Sequence, residues 1–221
     1  MVNEMRLQSL NVALPRTIEY KGEAVHTGIY KLPTEARLAV RCLNIDGDGQ
    51  ADLSVHGGVD KAVYAFPEEH YSTYQAELGQ AAYQPGQFGE NLTTQGLLET
   101  EVCIGDRYRI GSSLLEVSQP RSPCYKFAIK MGTAEALAVC INSALTGFYL
   151  RVVQEGEIGA GDRIELEHRP LDAPTVDAIH RLYFLDRCNL DQLERAVDCD
   201  RLAAAFREVF VSRLEELGGN V

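Results

Sequence analysis

Up to about residue 162, apolar positions fall in short runs of β-branched and aromatic residues broken by Gly, Pro and Asn, as over 6–14, 36–43 and 114–118. Runs of this kind, bounded by turn-favouring residues, predict strands. Two segments depart from that rhythm. Residues 68–78 and 133–143 space their apolar positions three and four apart and predict helices. Residues 147–154 and 163–167 again predict strands, joined by the turn-rich Glu155-Gly156-Glu157-Ile158-Gly159-Ala160-Gly161-Asp162. The pattern is that of a mainly β body, a barrel or folded sheet carrying a few helices.

After His168-Arg169-Pro170 the texture changes. Thr175 is placed to cap a helix carrying Ile179, Leu182 and Tyr183, and Asn189 to cap a second carrying Leu190, Leu193 and Val197. A last helix repeats Leu202, Phe206, Val209, Phe210, Arg213, Leu214 and Leu217 at helical spacing before Gly218-Gly219. The expected organisation is therefore a β domain over 1–170 and a small all-α appendage over 171–221.

A formal net charge of −11 argues against a surface that tracks a phosphate backbone, which requires clustered Lys and Arg, so no nucleic-acid partner is expected. No basic segment followed by an apolar run opens the chain, and no window is long and apolar enough to span a bilayer. The expectation is a cytoplasmic protein with no membrane contact. The six cysteines, Cys42, Cys103, Cys124, Cys140, Cys188 and Cys199, lack C-x-x-C or zinc-type spacing and read as free thiols.

Three segments carry candidate chemistry. In Ser118-Gln119-Pro120-Arg121-Ser122-Pro123-Cys124-Tyr125-Lys126 two prolines stiffen the backbone before a cysteine flanked by cations, which favour the thiolate. Cys124 is then either a nucleophile or soft-metal ligand, or a loop cysteine packed under a strand end. In His56-Gly57-Gly58-Val59-Asp60-Lys61 paired glycines let backbone N–H groups approach an anion, with His56 and Lys61 as further donors; a simple tight turn is the alternative. Gly86-Gln87-Phe88-Gly89-Glu90-Asn91 offers an amide and a carboxylate to a heterocycle edge, or forms an Asx-type turn. Asn44, Asp46, Asp48, Gly49, Gln50 and Asp52 fall on calcium-loop positions, but Val55 stands where the bidentate Glu is needed and the flanks read as strand. An acidic turn is expected instead. No nucleophile elbow or P-loop lysine is present.

In this order, these segments resemble the MOSC family and its YiiM branch. The likeness runs through Thr27-Gly28-Ile29-Tyr30-Lys31, His56-Gly57-Gly58 with Asp60-Lys61-Ala62, Phe88-Gly89-Glu90-Asn91-Leu92, Ile104-Gly105-Asp106, residues 118–125, and Gly147-Phe148-Tyr149-Leu150-Arg151. The tail is similar to the three-helix appendage of that branch. The resemblance implies a MOSC-type mixed β-barrel and a molybdenum cofactor (molybdopterin), with Cys124 as metal ligand and catalytic residue. It also implies reduction of N-hydroxylated compounds (hydroxylaminopurines, hydroxylamines, amidoximes) to amines, with electrons from a separate flavoprotein. By motif position and charge, Arg121, Lys61 and His56-Gly57-Gly58 are expected to hold the pterin phosphate, and Asn91 and Glu90 to contact pterin or substrate. A non-catalytic cofactor or sulfur carrier using Cys124 is the alternative, and homodimer formation stays open. For the tail, docking of the electron donor competes with simple packing on the barrel or a dimer contact.

Overall fold

The computed structural model describes residues 4–80 and 82–219, with the backbone alone at 54 and 55. The chain forms β1 (Arg6–Val12), β2 (Arg16–Tyr20), β3 (Glu23–Thr27), β4 (Leu32–Thr34), β5 (Leu38–Arg41) and β6 (Asn44–Ile45), then α1 (Leu53–His56), a 3-10 turn over Val59–Lys61, β7 (Val63–Pro67) and α2 (Tyr71–Leu78). There follow β8 (Leu92–Gln95), β9 (Arg107–Ile110), β10 (Ser113–Pro120), α3 (Tyr125–Met131), α4 (Glu135–Ser143), β11 (Phe148–Gln154), β12 (Gly156–Ile158) and β13 (Ile164–His168). The tail is α5 (Val176–Phe184), α6 (Leu190–Asp198) and α7 (Ala204–Glu216).

The main sheet runs β13-β9-β10-β11-β7-β8-β1-β4, with β7 and β8 parallel and the other pairs antiparallel. It closes on itself. Arg6 bridges Arg163, Leu7 N–H donates to the Asp162 carbonyl at 2.9 Å, and Ile164 N–H donates to Met5 at 2.9 Å, so β13 meets β1 and the edge groups are satisfied. A β5–β6–β12 sheet and the β2–β3 hairpin stand beside this barrel. Strand β12 lies inside the segment that the sequence reads as turn: Gly156 to Ile158 pair with β5 through Val40 to Leu38. Glycines around it gave no strand signal, yet the long-range ladder wins.

Strand alternation sorts β7 between two cores. Val63 and Ala65 belong to the barrel interior with Leu7, Leu115 and Val117, whereas Tyr64 and Phe66 face an outer aromatic layer with Tyr74, Phe88 and Phe127. Phe66 and Phe88 stack at 3.9 Å between centroids, and Tyr74 meets Phe88 edge-on at 4.7 Å. Burying a side chain of this size stabilises by roughly 1.5–3 kcal/mol, so this layer fixes α2, α3 and α4 on the barrel wall.

The two predicted tail caps form: Thr175 accepts from Ala178 N–H at 3.1 Å and Asn189 from Gln192 N–H at 3.2 Å. The tail packs on the barrel. Val176, Ile179, Leu182, Phe206 and Phe210 join the same buried cluster as the barrel residues. Backbone bonds from Ile104 N–H to Pro174 (2.9 Å) and from Ala203 N–H to Ser118 (3.0 Å) bind it further, and just before it Arg169 pairs with the buried Asp106 (2.5 and 2.8 Å). That cover explains why β10 is buried along almost its whole length. No helix of the described residues is long and apolar enough to cross a membrane.

Candidate functional site

Strand β10 ends at Pro120, and the stiff Arg121-Ser122-Pro123 link delivers Cys124 as the residue capping α3, in an extended conformation (φ −126°, ψ 172°). This helix was not foreseen from the sequence; its apolar face, Phe127 and Met131, spans barely two turns. Arg121 is gripped on both sides of its backbone, its N–H donating to Gly147 (3.1 Å) and its carbonyl accepting from Thr146 Oγ1 (2.5 Å). Glu99, buried, in turn accepts from the N–H groups of Thr146 (3.0 Å) and Gly147 (2.6 Å) while contacting His70 at 2.6 Å. Gly147 has φ +66°, and a Cβ there would stand 2.3 Å from the Ala65 carbonyl oxygen, so no other residue fits.

Cys124 opens onto a cleft of about 90 Å³. Its wall draws on 27–29 and Lys31, 48–51, His56, Lys61, Tyr64, Phe88, Gly89, Asn91, Arg121, Ser122, Lys126 and Tyr149. Lys31, Lys61, Arg121 and Lys126 bring four basic side chains into the wall, of which Lys31 is paired with Asp48, the one carboxylate there. In a chain of net charge −11 this is a concentrated positive site. The Arg121 guanidinium is buried between the rings of Phe127 (4.3 Å) and Tyr64 (5.4 Å). Burial alone would raise the Cys124 thiol, but a hydrogen bond from His56, the charges of Arg121 and His56, and the Phe127 N–H outweigh it and bring it down to about 7. Burial lowers Lys61 against the opposing pull of Asp60.

The predicted site residues divide into three groups. Cys124, Arg121, His56 and Lys61 come together around the cleft from two separate parts of the chain. Asn91 also lines it, but its amide is engaged in the wall: Oδ1 accepts from Tyr64 N–H (3.1 Å), and Nδ2 donates to Asp48 (3.0 Å) and to the Asn11 carbonyl (3.3 Å). Glu90 lies behind the wall, fully buried. It accepts from Tyr71 Oη (2.5 Å), Gly86 N–H (2.8 Å), Phe88 N–H (2.8 Å) and Thr93 Oγ1 (2.9 Å), which assigns its carboxylate to the loop instead of to a bound heterocycle. Gly57 and Gly58 stand at the edge of the cleft, not in its lining. Gly57 packs on Leu53, and Gly58 (φ +94°) turns the chain from α1 into the 3-10 turn that presents Lys61.

The sequence reading missed Lys31, Asp48, Tyr64 and Tyr149, all in the cleft wall. Asp48 had been noticed only as a calcium-loop position; it instead forms a buried ion pair with Lys31 and accepts from Ala13 N–H at 3.0 Å. Lys130, also missed, donates to the carbonyls of Ile29 (2.8 Å) and Gly86 (2.5 Å) and so ties α3 to two loops of the wall. Burial lowers Lys130 to about 8. Among the described residues no group of three or more His, Cys, Asp or Glu side chains stands together as a metal site.

The MOSC domain family matches residues 52–165, and the YiiM-like, 3-alpha helix domain family matches 174–217. The chain is 40% identical over 209 residues to YflK of Bacillus subtilis (strain 168), covering 95% of this chain and 94% of that protein. It is 33% identical over 184 residues to a protein named Reductase from Gibberella moniliformis (strain M3125 / FGSC 7600), covering 82% of this chain but 32% of the longer protein. The crystal structure of YiiM from Geobacillus stearothermophilus superposes with a TM-score of 0.81 at 35% identity, covering 95% of this chain and 99% of that one. The barrel and the helical tail thus occur together across the full length of a solved relative, and the chain belongs to the MOSC family, in its YiiM-like branch.

Proposed function

We propose that the protein is a molybdenum-cofactor-dependent reductase of N-hydroxylated compounds, working at Cys124 with electrons from a separate flavoprotein. The observation that carries this reading is Cys124, its thiol lowered by His56 and Arg121, facing a cleft whose wall also holds Lys61 and Lys126. A single thiolate is a sparse metal site by itself, so a metal bound here must bring most of its ligands with it, as a dithiolene-bearing pterin does. Molybdopterin also carries a phosphate, which suits a basic wall. The donor set therefore fits the group. Membership of the MOSC family and a relative named Reductase support the same reading.

In this reading Cys124 is the soft ligand, and Arg121, Lys61 and His56 hold the phosphate. Arg121 reaches the cleft rigidly, because both its backbone groups and its ring contacts fix it. When bound, the cofactor supplies the two-electron oxygen-atom chemistry. The overall change is R–NHOH + 2 e⁻ + 2 H⁺ → R–NH2 + H2O. His56, bonded to Cys124, lowers the thiol and so favours the thiolate form. Tyr64 and Tyr149 close the inner wall and exclude water from it; burial holds both phenols protonated. Asn91 shapes the wall through its bonds to Tyr64 and Asp48.

The deciding experiment measures molybdenum, pterin and donor-coupled reduction of an N-hydroxylated purine in wild type and Cys124→Ala made in a molybdopterin-producing host. Metal and turnover in wild type, both lost in the variant, are expected. Molybdenum without turnover would instead identify a carrier, and neither one after reconstitution would overturn both readings.

A further inference from the structure

We propose that Glu99 is a positioning residue, fixing where the Arg121 guanidinium stands in the cleft, and that the first turn of α5 in the tail completes its setting. The role given to Arg121 rests on the reading above. Its side chain is buried among the Phe127 ring (4.3 Å), the Tyr64 ring (5.4 Å) and the Tyr149 phenol. Ring faces attract a guanidinium but hold its direction loosely. The direction is therefore set by the backbone at 121. Two residues grip that backbone: the Gly147 carbonyl accepts from its N–H at 3.1 Å, and Thr146 Oγ1 donates to its carbonyl at 2.5 Å.

Thr146 and Gly147 lie in irregular backbone between α4 and β11, so no ladder of their own fixes them. Glu99 does. One of its carboxylate oxygens accepts from both of their N–H groups (3.0 and 2.6 Å), and the other meets His70 Nε2 at 2.6 Å. Such charge-assisted bonds are stronger than those of a neutral acceptor. Tyr64 joins the same knot, its hydroxyl donating to the Thr146 carbonyl at 2.8 Å, so one of the rings against the guanidinium is held with it. Glu99 does not line the cleft and acts on it only through these neighbours. It is itself anchored at both ends. His70 stands edge-on to Phe66 of the aromatic layer (5.6 Å), and the Glu99 carbonyl accepts from Asp177 N–H of α5 at 3.0 Å, beside a bond from Val176 N–H to Val102 at 2.9 Å. The tail thus bears on the cleft without entering it: α5 holds Glu99, Glu99 holds 146–147, and these hold Arg121. Site groups need placement to within roughly 0.5 Å, and a long side chain amplifies any rotation of the backbone at its root.

The test reads the guanidinium directly, as the side-chain Nε–H resonance of Arg121 in cofactor-free protein, assigned by its loss in Arg121→Lys. The two ring faces shift this signal upfield in wild type. Glu99→Ala is expected to move it toward the position of an exposed arginine. Glu99→Gln, whose carbonyl oxygen still accepts from both N–H groups while its amide faces His70, should keep it in place. Thr146→Val removes only the bond to the Arg121 carbonyl and should move the signal in the same direction, which keeps the test decisive if Glu99→Ala does not fold. Ile164→Ala, in the barrel interior, should lower stability and leave the signal where it is. A signal unmoved in Glu99→Ala or in Thr146→Val overturns the proposal, as does one that moves as far in Glu99→Gln or in Ile164→Ala. In protein made in a molybdopterin-producing host, pterin content should fall at least about tenfold in Glu99→Ala and stay within about twofold of wild type in Glu99→Gln. If the signal moves and the pterin content does not, the positioning stands and the assignment of Arg121 to the phosphate fails. A wild type without pterin marks the failure of the reductase reading itself, while the resonance still decides the role of Glu99.

Discussion

Lys31 and Asp48 form an ion pair within the wall of the cleft, with side chains 7% and 1% exposed. Asp48 is held from three sides, by Lys31, by Ala13 N–H and by the Asn91 amide. Removing one partner leaves the other charge buried and uncompensated. Asp48→Ala is therefore expected to cost on the order of 3–5 kcal/mol in urea unfolding, with a large part recovered in Lys31→Met/Asp48→Leu. Equal losses in the single and double variants would show that the pair is not coupled.

Glu90 offers a separate test of wall against ligand. Four donors converge on its carboxylate, so Glu90→Ala strands two backbone N–H groups and two hydroxyls. A loss of roughly 3 kcal/mol or more in stability is expected in protein prepared without cofactor. A variant of unchanged stability but poor cofactor content would return Glu90 to the ligand-binding role expected from the sequence.

Cys124 should alkylate as a perturbed thiol. In cofactor-free protein with the other cysteines replaced by serine or alanine, the iodoacetamide rate should rise with pH around a midpoint near 7, because only the thiolate attacks. His56→Ala removes the hydrogen bond and should move the midpoint up toward an ordinary thiol, about 8.5. A midpoint that stays put in that variant would assign the effect to Arg121 alone.

His180 predicts an acid-side loss of stability. Its ring is buried; Nε2–H donates to the Ile141 carbonyl at 2.9 Å and Nδ1 has no partner among the described residues, so a second proton has nowhere to be stabilised. Burial lowers its pKa in the folded state. The unfolded chain then binds the proton more tightly, so the contribution is complete above about pH 6.5 and is lost as pH falls toward the folded value. His180→Gln, which keeps an N–H for Ile141 without titrating, should flatten the unfolding free energy between pH 6.5 and about 5 as followed by urea titration. A slope identical to wild type would place the acid sensitivity elsewhere.

Much of the fold was legible because it rests on local periodicity. The apolar runs in β1 and β10, the apolar faces of α5 and α6 and the caps at Thr175 and Asn189 all follow from residues within a few positions of each other. Elements without a local signal were not legible. Strand β12 exists because Val40 lies opposite Gly156, and α3 because Phe127 and Met131 find the aromatic layer around Phe88. The site divides along the same line. Cys124 between prolines and cations, and the paired glycines after His56, stand out in the chain itself, since backbone stiffness and glycine freedom are properties of short segments.

What the sequence by itself determined was the class of the fold, the tail and the local setting of Cys124. What only the tertiary structure decided was how each polar group is used. Lys31 meets Asp48 across 17 positions, His56 meets Cys124 from another part of the chain, and Glu90 turns away into its own loop. The reason is physical: a buried polar group has to find its partners wherever barrel closure brings them, and that closure is a long-range event that no local pattern encodes.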